Sequence, residues 1–260
     1  MNTQEIARRV LAQRMQRYMD AGPSLAPAGT ARFRMEPGRL RVAYASARPG
    51  EAAEVVRGVL RFAHQRQMQV HWSVVPERTG EEDLTPALLA ANFESIESLL
   101  LMGHADLVRP DIPLNPRVTI RPIHTWYEMY EYESHSRQCF YGDEHPSDAL
   151  ISQRATERWR EQEHNWCRYF RALLDGAPVG GCYVSLFEDI PTIMGVCTVP
   201  EARRQGVASA LVAHAISSVI TREHRLSCLF VEQGNPAEHL YRQLGFAPVL
   251  NTITYAWTPA

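Results

Sequence analysis

The chain has 260 residues, 45% hydrophobic and 22% charged, which is typical of one large or two ordinary globular domains. Its net charge of −2 excludes a general electrostatic attraction to nucleic acid or to an anionic membrane, so we expect neither as a partner. The five cysteines include no CxxC pair, which argues against a metal site or a disulfide framework and predicts a reducing, cytoplasmic location.

The first half of the sequence predicts a small α/β region that ends at a proline-rich segment. Residues 1–20 combine apolar positions at roughly helical spacing with charges throughout, which predicts an amphipathic helix rather than a signal peptide. A loop at 21–31, a hairpin at 32–46, a helix at 50–67, a strand at 68–76, a short helix at 81–93 and a strand at 98–107 follow. The proline-rich residues 108–118 are the predicted linker.

The second half predicts a mixed sheet with helices on its faces, an α/β fold. Its predicted elements are a strand at 117–123, helices at 125–136 and 146–170, a hairpin at 171–189, a strand at 191–199, a helix at 206–224, a strand at 227–233, a helix at 236–245 and a strand at 248–259. The stretches around Phe93 and Phe246 both predict a short helix, a phenylalanine and a strand. Either an internal duplication or a common local pattern explains this similarity.

The stretch TVPEARRQGVASALVAHAI, residues 198–216, places two arginines and a glycine before an apolar helix. Pro200 ends the preceding strand because it cannot donate to a sheet, and the helix is predicted to start near Gly206. A helix N-terminus presents unpaired N–H groups and a partial positive charge. The strand, the basic loop and the helix start therefore predict a phosphate-binding site, unless Arg203 and Arg204 are simply solvated.

Two signatures in the second half resemble one protein family. VPEARRQGVASALV resembles motif A of the GNAT acyltransferase superfamily, whose core is R/Q-x-x-G-x-G/A, with Ala208 in the last place. About thirty residues later, NPAEHLYRQLGF resembles the family's second signature through Asn235, Tyr241 and Gly245. The side chain of Asn235 is predicted to cap this helix, with Pro236 in its first turn and Gly245 just past its end.

The resemblance covers residues from about 117 to 260 and implies a transferase that uses acetyl-CoA as co-substrate. In the family, backbone amides of the motif A loop bind the pyrophosphate of coenzyme A, and the end of the preceding strand pairs with the pantetheine arm. The two strands that precede the signatures are expected to splay apart around the thioester. The implied cofactor-binding residues are Val196, Cys197, Thr198, Val199, Arg203, Arg204, Gln205, Gly206, Val207, Ala208, Ser209 and Asn235.

The resemblance also implies how the reaction is assisted. Acylation needs a neutral amine, a polarised carbonyl and a proton for the departing thiolate. The family's proton-donating tyrosine corresponds to Tyr241, and a backbone N–H near Val196 or Cys197 is expected to polarise the carbonyl. Cys197 itself is interpreted as a small packing residue, because acyl transfer in this family is usually direct.

The general base departs from a common family pattern. Residues 193–197 lack the glutamate that many relatives carry on this strand. An ammonium group has a pKa near ~10, so some group must remove its proton. Glu232, at the end of the stretch CLFVE, is the predicted base, and Glu188 and Asp189 are weaker candidates.

The acceptor site of this fold is built largely by the first two helices, and residues 125–141 combine aromatic and acidic side chains. Such a wall is typical of a site for a cationic amine. The predicted substrate-binding residues are Trp126, Tyr127, Glu128, Tyr130 and Glu131. The alternative is ordinary core aromatics beside a solvated acidic face.

Residues 1–115 lack both signatures and are predicted to be a degenerate GNAT-like domain with a structural role, beside a catalytic domain at 116–260. We therefore expect a tandem GNAT protein that transfers an acetyl group directly to a primary amine of a small molecule. Two alternatives stay open: a protein or peptide N-acetyltransferase, and a non-catalytic acyl-CoA-binding module.

Overall fold

The structure is a computed structural model that describes residues 5–6, 9, 29–76, 84–105, 112–142, 147–186, 190–220 and 226–259. The chain divides into two compact units. The N-terminal unit contains the chain up to residue 102 together with 231–235 and 248–260. The C-terminal unit contains residues 103–230 and 236–247. Two short segments near the C-terminus therefore belong to the N-terminal unit.

The order of strands and helices in the second half is the predicted one. The elements are β1 (Gly29–Glu36), β2 (Arg39–Ala47), α1 (Ala52–His64), β3 (Gln69–Val74), α2 (Leu84–Ala90), β4 (Glu94–Ala105), β5 (Val118–Pro122), α3 (Trp126–Tyr141), α4 (Asp148–Glu163), β6 (Cys167–Leu174), β7 (Ala177–Ser185), β8 (Thr192–Thr198), α5 (Val207–Val219), β9 (Leu226–Glu232), α6 (Ala237–Gln243) and β10 (Ala247–Trp257). A turn of 3-10 helix, Pro200–Ala202, separates β8 from α5. No helix among the described residues is long and apolar enough to cross a membrane.

Several predicted boundaries are wrong; for example, β4 begins at Glu94 and not at residue 98, and α3 extends to Tyr141 and not only to residue 136. Residues 167–170 begin strand β6 instead of ending a helix, because Asn165 adopts a left-handed φ of 55° and stops α4. Residues 29–31, predicted as loop, begin β1. Helix α6 has Pro236 rather than Asn235 at its N-cap, and no side chain caps it. Apart from residues 5, 6 and 9, the predicted N-terminal helix lies outside the described residues, as do residues 108–111 of the linker.

The sheet of the N-terminal unit has the strand order β1-β2-β3-β10-β4. Buried residues of α1 and α2 pack with Val70 and Trp72 of β3 in one core. Strand β10 runs antiparallel to β3 and lies between β3 and β4. Strand β10 thus separates β3 from β4, although β3 and β4 are close in sequence.

The sheet of the C-terminal unit has the strand order β9-β8-β7-β6-β5. Strands β5 to β8 are antiparallel neighbours, whereas β8 and β9 run parallel. Helix α5 connects β8 to β9 and buries Leu211, Val212, Ala215 and Ile216. The apolar face of α5 fixes the position of its N-terminus, where the basic loop lies.

Candidate active site

A β-bulge interrupts strand β8 in front of the basic loop. Gly181 of β7 faces Cys197 and Tyr183 faces Met194, so Cys182 opposes two residues, Gly195 and Val196. Gly195 has a φ of +60°, the left-handed conformation that such a bulge requires. A bulge bends the strand that carries it.

Strands β8 and β9 pair at only two positions, at the start of β8 and in the middle of β9. Thr192 pairs with Cys228 and Ile193 with Leu229, and no later pair forms between these strands. The bulge follows two residues after the last pair. The edge of β8 beyond Ile193 therefore presents backbone N–H and C=O groups that β9 does not use, which is the predicted splay.

The loop after β8 ends at an uncapped helix N-terminus. Arg204 and Gly206 both have left-handed φ values, 63° and 79°, and α5 begins at Val207. No side chain caps this helix, and no acidic residue lies in its first turn. Its first N–H groups and its partial positive charge are thus free to meet an anion.

Side-chain hydrogen bonds to backbone carbonyl groups hold this loop in place. The Asn115 amide donates to the carbonyl oxygen of Gln205 at 2.9 Å, and the Arg203 Nε donates to the carbonyl oxygen of Thr198 at 3.3 Å. A Cβ on Gly206 would meet its nearest neighbour, Asn115, at an ordinary 3.5 Å. Space is left in front of Gly206, so the residues present fit a pyrophosphate group.

Tyr241 lies on α6 and is 7% exposed. Its ring packs edge-on against Phe246, with the centroids 6.3 Å apart. Burial, with a smaller contribution from Cys182, raises the pKa of Tyr241 to about 12. The phenol is therefore protonated at neutral pH, as a proton donor has to be.

Comparison with known proteins agrees with this geometry. The sequence model of the acetyltransferase (GNAT) family matches residues 126–246. Residues 126–246 are therefore similar to a GNAT acetyltransferase domain and are called the GNAT domain below. No curated protein matches the chain in sequence.

Solved structures of similar fold cover nearly the whole chain. A GCN5-related N-acetyltransferase from Kribbella flavida has a TM-score of 0.69 at 17% identity and covers 97% of this chain and 95% of its own. One from Sphaerobacter thermophilus has a TM-score of 0.69 at 16% identity, with 89% and 76% covered. A tandem GNAT protein from the clavulanic acid biosynthesis pathway has a TM-score of 0.64 at 14% identity, with 95% and 87% covered. The fold is therefore that of GNAT proteins.

In the GNAT domain, the two predicted acidic substrate residues already have protein partners. Glu128 accepts from the backbone N–H groups of His124 and Thr125, and its other oxygen pairs with Arg171. Burial acts against its charge, but the His124 N–H, Arg171 and the Thr125 N–H hold the pKa of Glu128 below its usual range. Glu131 also pairs with Arg171, at 3.6 Å. These contacts place Glu128 in the capping box of α3, and its role as a substrate residue stays a prediction.

The predicted aromatic residues lie at the exposed start of α3. Trp126 is 39% exposed and donates its indole N–H to Thr156, and Tyr127 is 66% exposed. The Tyr130 hydroxyl donates to Asp148. The prediction that these residues contact a substrate stays a prediction.

A buried tyrosine cluster behind β8 is the part of the GNAT domain that the sequence reasoning missed. Tyr169 stacks on Tyr183 at 5.0 Å and meets Tyr132 edge-on at 5.6 Å. Arg158 lies 5.4 to 6.0 Å from all three rings and donates to Glu133 at 2.6 Å. The sequence signal for this cluster was Gly181 in β7 and Gly195 in β8, because a glycine within a strand indicates a close approach of another group.

Cys197, in the bulged strand, is 4% exposed. A hydrogen bond with Cys139, together with burial, raises the pKa of Cys197 well above its usual range. A neutral thiol is a poor nucleophile, so this environment supports its interpretation as a packing residue.

Glu232 and Asn235 belong to the N-terminal unit. Glu232 is the exposed last residue of β9, and its carbonyl oxygen accepts from the Asn235 N–H at 3.0 Å. Their predicted roles stay predictions. Glu188 and Asp189 lie outside the described residues.

The N-terminal unit repeats one local feature of the GNAT domain without its tyrosine. The N–H of Phe93 donates to the carbonyl oxygen of Leu88 at 3.1 Å, as that of Phe246 donates to Tyr241 at 3.0 Å. Asn92 and Gly245, just before the two phenylalanines, both have left-handed φ values, 60° and 92°. Leu88 thus occupies the position of Tyr241, and a leucine cannot donate a proton.

Proposed function

We propose that the protein is an N-acetyltransferase that transfers the acetyl group of acetyl-CoA directly to a primary amine of a small molecule. The observation that carries this proposal is the uncapped, acid-free N-terminus of α5, which follows the bulged strand β8 and the basic loop. A helix start of this kind favours a phosphate group. The unpaired edge of β8 beside it favours an extended amide-containing arm.

This arrangement supports the proposed cofactor-binding residues. The backbone N–H groups of residues 205–208, with Ser209, would bind the pyrophosphate, and Arg203 and Arg204 would add positive charge. Residues 196–199, on the part of β8 that β9 does not pair with, would line the pantetheine arm. The cofactor-binding role of Asn235 is supported only by its position in the second signature.

Bound acetyl-CoA supplies an acetyl thioester, whose carbonyl carbon accepts the amine nitrogen and whose sulfur leaves as a thiolate. Tyr241 would give its proton to that sulfur, which its protonated, buried phenol favours. A backbone N–H of the bulge, at Val196 or Cys197, would donate to the carbonyl oxygen. Glu232 would take the proton that the amine loses.

The N-terminal half, residues 1–115, would serve a structural role beside the catalytic residues 116–260. Two observations support this division. Leu88 replaces the proton donor, and β2 and β3, the strands that precede α1 and α2, pair at four positions, from Arg39 with Gln69 to Val42 with Trp72, whereas β8 and β9 pair at only two. We accordingly propose one acetyl-CoA site per chain.

A small-molecule acceptor is favoured by the buried side chains behind the bulge. Tyr132, Tyr169 and Glu133 are each at most 3% exposed. An extended peptide needs an open groove along the strand, whereas the amine of a small molecule only has to reach the thioester.

A thiol-release assay with acetyl-CoA tests this proposal. Amino acids, polyamines, aminoglycosides and short peptides would be tried in turn, and the acetylated product identified by mass spectrometry. We expect release with one class of small amine. Release only with peptides would replace the small molecule by a peptide acceptor, and acetyl-CoA binding without any release would leave a non-catalytic binding module.

A further inference from the structure

The hydroxyl of Tyr132 is buried and has no hydrogen-bond partner among the described residues. The side chain is 2% exposed. A buried polar group without a partner destabilises the folded protein and therefore requires an explanation. Its ring contributes to the core of the GNAT domain, which a phenylalanine would do equally well.

Two glycines direct this hydroxyl to the bulge of β8. A Cβ on Gly181 would lie 2.6 Å from Cδ2 of Tyr132, so only glycine leaves room for the ring. A Cβ on Gly195 would lie 3.1 Å from the Tyr132 hydroxyl oxygen. The hydroxyl thus points to the bulged residue at which β8 has left β9.

The neighbouring tyrosine shows that this cluster does satisfy hydroxyl groups where it can. The Tyr169 hydroxyl donates to the Glu161 carboxylate and accepts from Arg158. Tyr132 lies against the ring of Tyr169, with their centroids 5.6 Å apart, yet shares neither partner. The missing partner of Tyr132 therefore has to come from outside the described protein groups.

We propose that the Tyr132 hydroxyl donates a hydrogen bond to the carbonyl oxygen of the acetyl thioester, beside the backbone N–H of the bulge. This inference rests on the proposed function, because it places the acetyl group at the bulge. Burial raises the pKa of Tyr132 well above its usual range, so the phenol keeps its proton and acts only as a donor.

The carbonyl oxygen gains negative charge as the amine attacks, so a donor fixed in a buried site stabilises the transition state more than the ground state. Loss of one such donor typically lowers kcat by about 10²–10³-fold. The free protein then keeps the Tyr132 hydroxyl unpaired because this donor is already positioned for the carbonyl oxygen before acetyl-CoA binds.

The test is Tyr132→Phe, which removes one oxygen and keeps the ring. Infrared spectra of acetyl-CoA with a ¹³C-labelled carbonyl, bound to each protein, report the hydrogen bond without any acceptor amine. We expect a lower carbonyl stretching frequency on the wild type than on the variant, with acetyl-CoA affinity unchanged. With an acceptor, kcat of the variant should fall by about 10²–10³-fold.

The matched control is Tyr169→Phe, which removes the same atom from the adjacent buried ring. It leaves Glu161 and Arg158 without their shared partner, so it should lower the melting temperature and leave the carbonyl band in place. Tyr132→Phe should not lower the melting temperature, because its hydroxyl has no partner to lose. As a second probe, 3-fluorotyrosine at position 132 is a more acidic donor and should lower the carbonyl frequency further.

Failure of the inference is distinguishable from failure of the proposed function. Wild-type protein that binds acetyl-CoA and releases thiol, with the same carbonyl band in Tyr132→Phe, overturns the inference alone. Wild-type protein that binds no acetyl-CoA overturns both.

Discussion

Tyr241→Phe removes the proposed proton donor and leaves the rest of its environment in place. The hydroxyl is the only atom lost, and the ring keeps its edge-on contact with Phe246 at 6.3 Å. The variant should fold, because the phenylalanine ring fills the same buried site. Any loss of activity then reports the proton and not the packing.

The size of the effect follows from the state of the phenol. With a pKa of about 12, Tyr241 holds its proton throughout the neutral range, whereas the departing thiolate needs one at the moment the bond to carbon breaks. A positioned proton donor contributes about 10²–10⁴-fold, or about 2.7–5.5 kcal/mol of activation free energy. We therefore expect kcat to fall by that factor.

The assay is steady-state thiol release with the identified acceptor, with acetyl-CoA affinity measured separately by calorimetry. Affinity should change little, because the loss concerns the transition state. Tyr255→Phe is the matched control: Tyr255 is also buried, at 4% exposure, in the core of the N-terminal unit, and its variant should retain wild-type kcat. Wild-type turnover in Tyr241→Phe would refute the assignment of the proton donor.

Burial favours the neutral phenol of Tyr241, so its stabilising contribution is complete below the unfolded pKa near 10 and is lost as the pH rises to about 12. In urea titrations the free energy of unfolding should fall by about 2–3 kcal/mol over that pH range, and less steeply in Tyr241→Phe. Equal slopes in the two proteins would contradict the raised pKa. Glu133→Gln leaves Arg158 and Arg137 without their buried carboxylate, so the free energy of unfolding should fall by about 3 kcal/mol in the same titration. A loss under ~1 kcal/mol would argue against these ion pairs. Thr125→Ala removes the capping box of α3, for an expected loss of about 1 kcal/mol, and unchanged stability would show that the cap contributes nothing. Glu232→Gln should shift or remove the acidic limb of the kcat/KM–pH profile, and an unaltered limb would leave deprotonation to water or to the substrate.

The loop and helix start of motif A could be predicted because their chemistry is local. A proline, two arginines and a glycine within seven residues mark the end of a strand and the start of a helix. The structure places the helix start at Val207, one residue after Gly206, as this pattern predicts. The order of elements in the second half was predictable for the same reason, since each element has its own periodicity.

The buried cluster around Tyr132 could not be predicted in this way. Six aromatic residues lie in the stretch 126–141, and the sequence does not say which one meets two glycines on other strands. Gly181 and Gly195 lie on neighbouring strands that meet α3 only through tertiary packing. A glycine within a strand indicates a bulge or a close approach, but it does not identify what approaches.

Two further features were not predicted from the sequence. Glu128 lies three residues after Thr125, the spacing of a capping box, and Arg171 of β6 is its further partner; its predicted contact with substrate stays a prediction. The position of β10 between β3 and β4 depends on pairing between residues about 180 positions apart in the chain, such as Trp72 with Tyr255. Pairing over this distance leaves no local sequence signal.

The central claim is that one helix start, in the C-terminal unit, binds the acetyl donor. A calorimetric titration with acetyl-CoA, on the wild type and on Gly206→Glu, tests it most directly. The glutamate would bring a side chain and a negative charge into the pyrophosphate site at a left-handed φ of 79°, so we predict one site per chain in the wild type and no binding by the folded variant. Unchanged affinity in a folded Gly206→Glu protein, or two sites per wild-type chain, would contradict the account.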